Sequence, residues 1–98
     1  MNEYLPVGSV VSIKGGKTAL VIMGYKVKPQ NNKINKGKEE VDSDKIFDYC
    51  GVLYPEGVID TNVMALFDKD DIESVIFEGY KSEESDQFFD FIKDNYDK

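Results

Sequence analysis

Apolar residues along this chain fall in short blocks separated by turn residues, and most of the blocks lack a helical period. Ser9-Val10-Val11-Ser12-Ile13 is rich in β-branched residues and predicts a first strand. Lys14-Gly15-Gly16-Lys17 follows and predicts a two-residue hairpin of the primed kind, in which both glycines take positive φ. Residues 18–27 predict the second strand. Its centre, Ala19-Leu20-Val21-Ile22-Met23, is continuously apolar, as expected where both faces of a sheet are covered, and Gly24 marks a bulge or bend. Residues 45–54 predict the third strand, which runs into Tyr54-Pro55-Glu56-Gly57. Pro55 suits the second position of a type I turn and Gly57 the fourth. Gly51, inside that strand, removes a side chain where a neighbour comes close or the strand bulges.

Val63-Met64-Ala65-Leu66-Phe67 predicts a fourth strand. Asp68-Lys69-Asp70-Asp71-Ile72 predicts one helical turn, capped by Asp68, with Ile72 directed inward. Residues 74–80 predict a fifth strand. Ser82, followed by Glu83-Glu84-Ser85-Asp86, is a helix cap with acids in the positive first turn, and it opens a C-terminal helix over residues 82–97. Phe88, Phe89, Ile92 and Tyr96 share one face of that helix, with Phe91 beside it. The stripe predicts packing on the domain's own sheet; docking on a partner is the alternative. Between the second and third strands, residues 28–44 are polar and too poor in apolar groups to bury themselves, which predicts a mobile loop, with a binding loop as the alternative. The architecture expected is α+β, mostly β: a single domain over residues 1–98, built as a small five-stranded SH3-like partly open barrel with a C-terminal helix.

Composition narrows the picture. A chain of 98 residues builds one core. No stretch of about 18 consecutive apolar residues occurs, so no membrane span is expected. Met1-Asn2-Glu3-Tyr4-Leu5-Pro6 has neither the basic region nor the apolar core of a secretion signal. The lone cysteine, Cys50, leaves no intramolecular disulfide to form and fits a reducing compartment, so the expected location is the cytoplasm. The net charge of −7 is unevenly spread. Residues 1–38 hold seven lysines against one glutamate, and residues 39–98 hold five lysines against eighteen acids. The acidic part would repel a phosphate backbone, so a protein with a basic surface is the expected partner rather than nucleic acid.

Candidate chemistry is mostly excluded. Gly15-Gly16-Lys17-Thr18 contains the end of a phosphate-binding loop, but Val11 stands where that motif needs glycine, and a strand rather than a helix follows. Asp68-Lys69-Asp70-Asp71-Ile72-Glu73 lacks the central glycine and closing glutamate of a calcium loop, and Asp42-Ser43-Asp44 fails in the same way. Without histidine the commonest general acid–base residue is missing. Cys50 has no basic neighbour in sequence to activate it and reads as a buried, inert thiol. The expectation is therefore a non-enzyme with no catalytic, cofactor or metal residues. For partner binding, the expected site is the Tyr54, Pro55, Glu56, Gly57 turn, with Tyr80 as a neighbour. An exposed tyrosine on a stiffened turn offers a large contact at low entropic cost. The competing reading puts Tyr54 inward, as core.

Leu5-Pro6-Val7-Gly8-Ser9-Val10-Val11, Lys14-Gly15-Gly16, Met23-Gly24, the run Tyr49 to Gly57, and Phe67-Asp68-Lys69-Asp70-Asp71-Ile72 through Phe77-Glu78-Gly79-Tyr80 occur in that order. Together they resemble an uncharacterised domain-of-unknown-function family of Gram-positive bacteria with a Tyr-Pro-Glu-Gly motif, often encoded near type VII secretion and LXG toxin genes. The resemblance spans nearly the whole chain outside residues 28–44. It implies a small cytoplasmic accessory that binds an LXG toxin or a secretion component, as chaperone, adaptor or targeting factor. The alternative it leaves is an immunity protein that neutralises a cognate toxin. It brings no catalytic residues with it.

Overall fold

The computed structural model describes residues 4–28, 33–36, 39–42, 45–60 and 64–97. Among the described residues, seven strands, one 3-10 turn and one helix follow in order: β1 (Val10–Ile13), β2 (Leu20–Val27), β3 (Lys33–Lys36), β4 (Glu39–Asp42), β5 (Phe47–Leu53), β6 (Ala65–Phe67), the 3-10 turn Lys69–Asp71, β7 (Ile72–Phe77) and α1 (Glu83–Asn95). Five strands form one antiparallel sheet in the order β6-β5-β2-β1-β7. That is an SH3-like, partly open arrangement, with the sheet not closed into a true barrel and a single C-terminal helix beside it. Within the stretch expected to be a mobile loop, β3 and β4 pair with each other as a separate two-stranded ladder, Lys33 opposite Asp42 and Lys36 opposite Glu39.

β2 is the long central strand, shared between β1 and β5. Its register against β5 shifts between Ile22, opposite Gly51, and Gly24, opposite Cys50, so Met23 is a bulged residue, as Gly24 led us to expect. The bulge changes which residues face the core, from Leu20 and Ile22 before it to Tyr25 after it. Tyr25 thereby stands opposite Tyr49, which in turn stands opposite Phe67. Gly51 is a close-approach position. A Cβ there would lie 2.5 Å from the Val21 carbonyl oxygen and 3.3 Å from the Phe67 ring.

Two turns differ from their expected forms. Between β1 and β2 only Gly15 has positive φ, at 77°, and the Gly16 N–H donates to the Ile13 carbonyl at 2.9 Å. That is a single turn needing one left-handed residue in its third position, not a two-residue primed hairpin. The cause lies outside the loop. The Lys14 N–H donates to the Asp71 carbonyl at 2.9 Å, so the end of β1 pairs with the 3-10 turn, and β1–β2 pairing stops at Val11 opposite Leu20. The second correction concerns Tyr54-Pro55-Glu56-Gly57. The reversal is closed by Gly57 N–H to the Leu53 carbonyl at 2.7 Å, one residue wider than a type I turn, with Gly57 at φ +76° and a cis Tyr54–Pro55 bond.

The core gathers Val11 from β1, Leu20 and Ile22 from β2, Tyr49 from β5 and Phe67 from β6, closed by Tyr4 together with Phe89 and Ile92 of α1, the rings of Tyr4 and Phe89 lying 5.9 Å apart. Ser82 and Ser85 cap α1 reciprocally, Ser85 N–H to Ser82 Oγ at 3.2 Å and Ser82 N–H to Ser85 Oγ at 2.9 Å. Glu83, Glu84 and Asp86 sit in its first turn, where the helix dipole favours negative charge. Only Phe89 and Ile92 of the apolar stripe are buried. Each stabilises the fold by about 1.5–3 kcal/mol through area removed from water.

Candidate partner-binding surface

A polar clasp fixes the chain just beyond the C-terminal end of α1 to the sheet. Lys26, at the end of β2, turns to a positive φ of 50°, and its side chain is nearly buried. Its Nζ donates to Asp48 Oδ1 and to Asp97 Oδ1, each at 2.8 Å. The Tyr4 hydroxyl donates to the other Asp97 oxygen at 2.5 Å, and Lys69 Nζ lies 4.0 Å from the centre of the Tyr4 ring. Asp48 Oδ2 accepts from the Lys69 N–H at 3.0 Å, and Asp48 N–H donates to Asp68 Oδ1 at 3.1 Å, so the clasp also holds the 3-10 turn. Lys45 closes onto Asp68 from outside. Nearby, the Tyr25 hydroxyl donates to the Leu5 carbonyl at 2.6 Å and the Leu5 N–H to the Tyr49 hydroxyl at 3.0 Å, which ties down the entry segment.

Electrostatics follow this geometry. Burial pushes the Tyr4 phenol up to about 12, and its bond to Asp97 adds to the rise. Burial alone would pull the Lys26 ammonium down, but its bonds to Asp48, Asp97 and Tyr4 outweigh that and hold it above the ordinary lysine range. Burial would raise the Asp97 carboxyl, yet Lys26 and Tyr4 hold it below the usual carboxylate range. Because the folded value of Asp97 is the lower one, its contribution is complete above the unfolded value of about 3.9 and is lost as pH falls through the folded value. For Lys26 the sign is opposite: its contribution is complete below about 10.4 and is lost as pH rises through the raised folded value. Asp97→Asn is therefore expected to lower stability at neutral pH by about 1 kcal/mol, since the pair is partly open to solvent. Urea titrations should show the gap to the native protein closing as pH is taken from about 5 to about 2. A gap independent of pH would exclude the clasp.

Outside the clasp, two of the exposed apolar stretches lie on regular elements, α1 and β7. On α1, Phe88 and Phe91 are stacked with ring centres 6.3 Å apart and planes 17° from parallel, and they are 45% and 54% exposed. Phe88 also meets Tyr25 at 5.6 Å, so the pair is the outer end of an aromatic cluster that runs through Phe89, Tyr25 and Tyr49 to Phe67. Packing on Tyr25 and Phe89 limits the motion of the Phe88 ring, and Phe91 stacks on it, which makes the pair a pre-ordered anchor. The second stretch is on β7, where Val75, Ile76 and Phe77 are exposed in succession.

The residues predicted to form a binding ridge are exposed but not gathered. Tyr54 is 54% exposed, so it lies outside the core, and Pro55 and Glu56 are exposed beside it. This turn hangs from the start of β2 through the Tyr54 N–H bond to the Ala19 carbonyl at 2.9 Å. Tyr80, 83% exposed, follows Gly79, whose N–H donates to the buried Ser9 Oγ at 2.9 Å. β5 and β7 are separated by β2 and β1 in the sheet, so the two tyrosines project from different parts of it. Phe88 and Phe91 were legible in principle. A 13-residue helix needs one apolar stripe, and this one holds more large apolar residues than one stripe uses.

A family model described as Domain of unknown function (DUF4176) matches residues 4–88. The chain belongs to the DUF4176 family. No curated protein and no solved structure shows a match to it. The DUF4176 match contains Tyr4, Lys26, Asp48 and Lys69 of the clasp and ends at Phe88, so Phe91 and Asp97 lie beyond it. In this DUF4176 member Cys50 is buried, and burial pushes its thiol up, away from the thiolate a nucleophile needs. Among the described residues no three Asp, Glu or Cys side chains are grouped to hold a metal ion, and no helix is long and apolar enough to cross a membrane.

Proposed function

We propose that this domain is a non-enzymatic, cytoplasmic protein-binding accessory of a type VII secretion toxin, acting as chaperone, adaptor or targeting factor. The observation that carries the binding role is the stacked Phe88–Phe91 pair, held at the surface by the aromatic cluster beneath it. Large rigid aromatics that desolvate at low entropic cost are what interface hot spots use. α1 also carries five acids against one lysine, which favours a partner helix with apolar residues flanked by basic ones. The secretion setting rests on the resemblance set out from the sequence. A second reading, an immunity protein, is favoured by the acid-rich surface, which suits the basic active site of a nucleic-acid-degrading toxin.

The two readings differ in which part of the toxin binds. Co-expression with an LXG toxin of the same genome should co-purify the N-terminal helical part if the domain is an accessory, and the C-terminal toxic part if it confers immunity. Phe91→Ser should weaken capture of the helical part by at least about tenfold, or 1.4 kcal/mol, without changing the melting transition. Binding of neither part would end both readings.

A further inference from the structure

The strand order leaves β6 and β7 at the outer ends of the five-stranded sheet, with no further strand beside either among the described residues. An edge strand offers a row of backbone N–H and C=O groups to any extended chain that comes alongside. The two edges differ. β6 has three residues, and shortness is itself a protection. β7 has six, and its C-terminal half, Val75-Ile76-Phe77, is without charge, with Ile76 and Phe77 each 61% exposed. Its pairing with β1 passes over Glu73 and Ile76, since Ile13 meets Ile72, Ser12 meets Ser74, Val11 meets Val75 and Val10 meets Phe77. Such bulges usually help to blunt an edge, but the lysines and prolines that edges also carry are missing from β7.

We propose that the free edge of β7 is the docking site for an extended segment of a partner protein, apolar at its centre and carrying Lys or Arg at its ends. The edge sets the conformation of the occupant, because only an extended backbone can take up the row of hydrogen bonds. Charge sets its composition. Glu73 and Glu78 bracket this apolar run, and residues 70–86 hold seven acids against one lysine. A second copy of this chain is disfavoured by the same charges. Pairing of two β7 strands sets two acid-rich segments of the same sign side by side, residues 70–86 of one copy against those of the other, and they repel. The proposal rests on the binding-module reading but concerns a surface separate from Phe88 and Phe91.

The test uses the full chain and two nine-residue peptides. Both have the centre Val-Thr-Val-Thr-Val; one has two lysines at each end and the other two glutamates. The Lys-ended peptide should bind at least about tenfold more tightly by fluorescence anisotropy, lose affinity with added salt, and slow amide exchange in Ile72–Phe77 but not in β6. Ile76→Lys, at an exposed position, should narrow the preference for the Lys-ended peptide. If that variant fails to fold, the exchange map of the native chain still decides. Equal affinities, protection on α1 instead of β7, no binding, or a dimer in sedimentation that Ile76→Lys dissolves would each overturn the proposal. Toxin capture that is lost in Phe91→Ser and unaffected by Ile76→Lys, with no protection of β7, would remove this edge and leave the binding-module reading standing.

Discussion

Gly51→Val is expected to abolish cooperative folding, and Gly51→Ala to lower stability by about 3 kcal/mol, the upper end of ordinary overpacking costs. The reason is the central strand pair. A Cβ at Gly51 would lie 2.5 Å from the Val21 carbonyl oxygen, which is backbone and cannot rotate away, and 3.3 Å from the Phe67 ring, which is stacked on Tyr49. Relief requires β2 and β5 to part, and β2 carries β1 on its other side. Gly15→Ala is the matched control. A Cβ there meets nothing within 4 Å, so only the positive φ of 77° opposes it, at about 1–2 kcal/mol. Urea denaturation of the three variants gives the comparison. A Gly51→Ala midpoint equal to that of Gly15→Ala would show that β2 and β5 are not as close as described.

The second large effect separates the two sides of α1. Ile92 is 1% exposed and belongs to the core, so Ile92→Asp removes a buried side chain and places an unpaired carboxylate in its stead. Its expected cost is on the order of 3–5 kcal/mol, a large share of the roughly 5–15 kcal/mol that holds a domain folded. Phe91 is one residue away and outside the core, and Phe91→Ser should change stability by less than about 1 kcal/mol. Phe88, half-exposed against Tyr25, should fall between them. Thermal melts measure all three. Equal losses at Ile92 and Phe91 would mean that α1 packs by a different face, and would remove the surface on which the proposed toxin contact depends.

Much of the strand pattern was readable because its causes are local. The β-branched blocks at Val10-Val11 and Val21-Ile22, punctuated by glycine, can only be short strands, and the Ser82 cap needs no information beyond its own turn. Gly24 announced the bulge and Gly51 the close approach, since a missing Cβ in a strand is costly unless something uses the space. The number of strands in the main sheet and the helix beside it followed from the same signals. What sequence periodicity could not settle was set by contacts between distant residues. The form of the β1–β2 turn depends on where the Lys14 N–H finds its acceptor, and that acceptor is the Asp71 carbonyl. Two aromatic neighbours, Phe88 and Phe89, have the same composition, and only the rotation of α1 on the barrel buries one and exposes the other. The clasp joins Tyr4, Lys26, Asp48 and Asp97 from both ends of the chain, and no spacing rule connects them. β7 reads in sequence like any half-buried strand; its place at the outer end of the sheet is what leaves Ile76 and Phe77 in solvent.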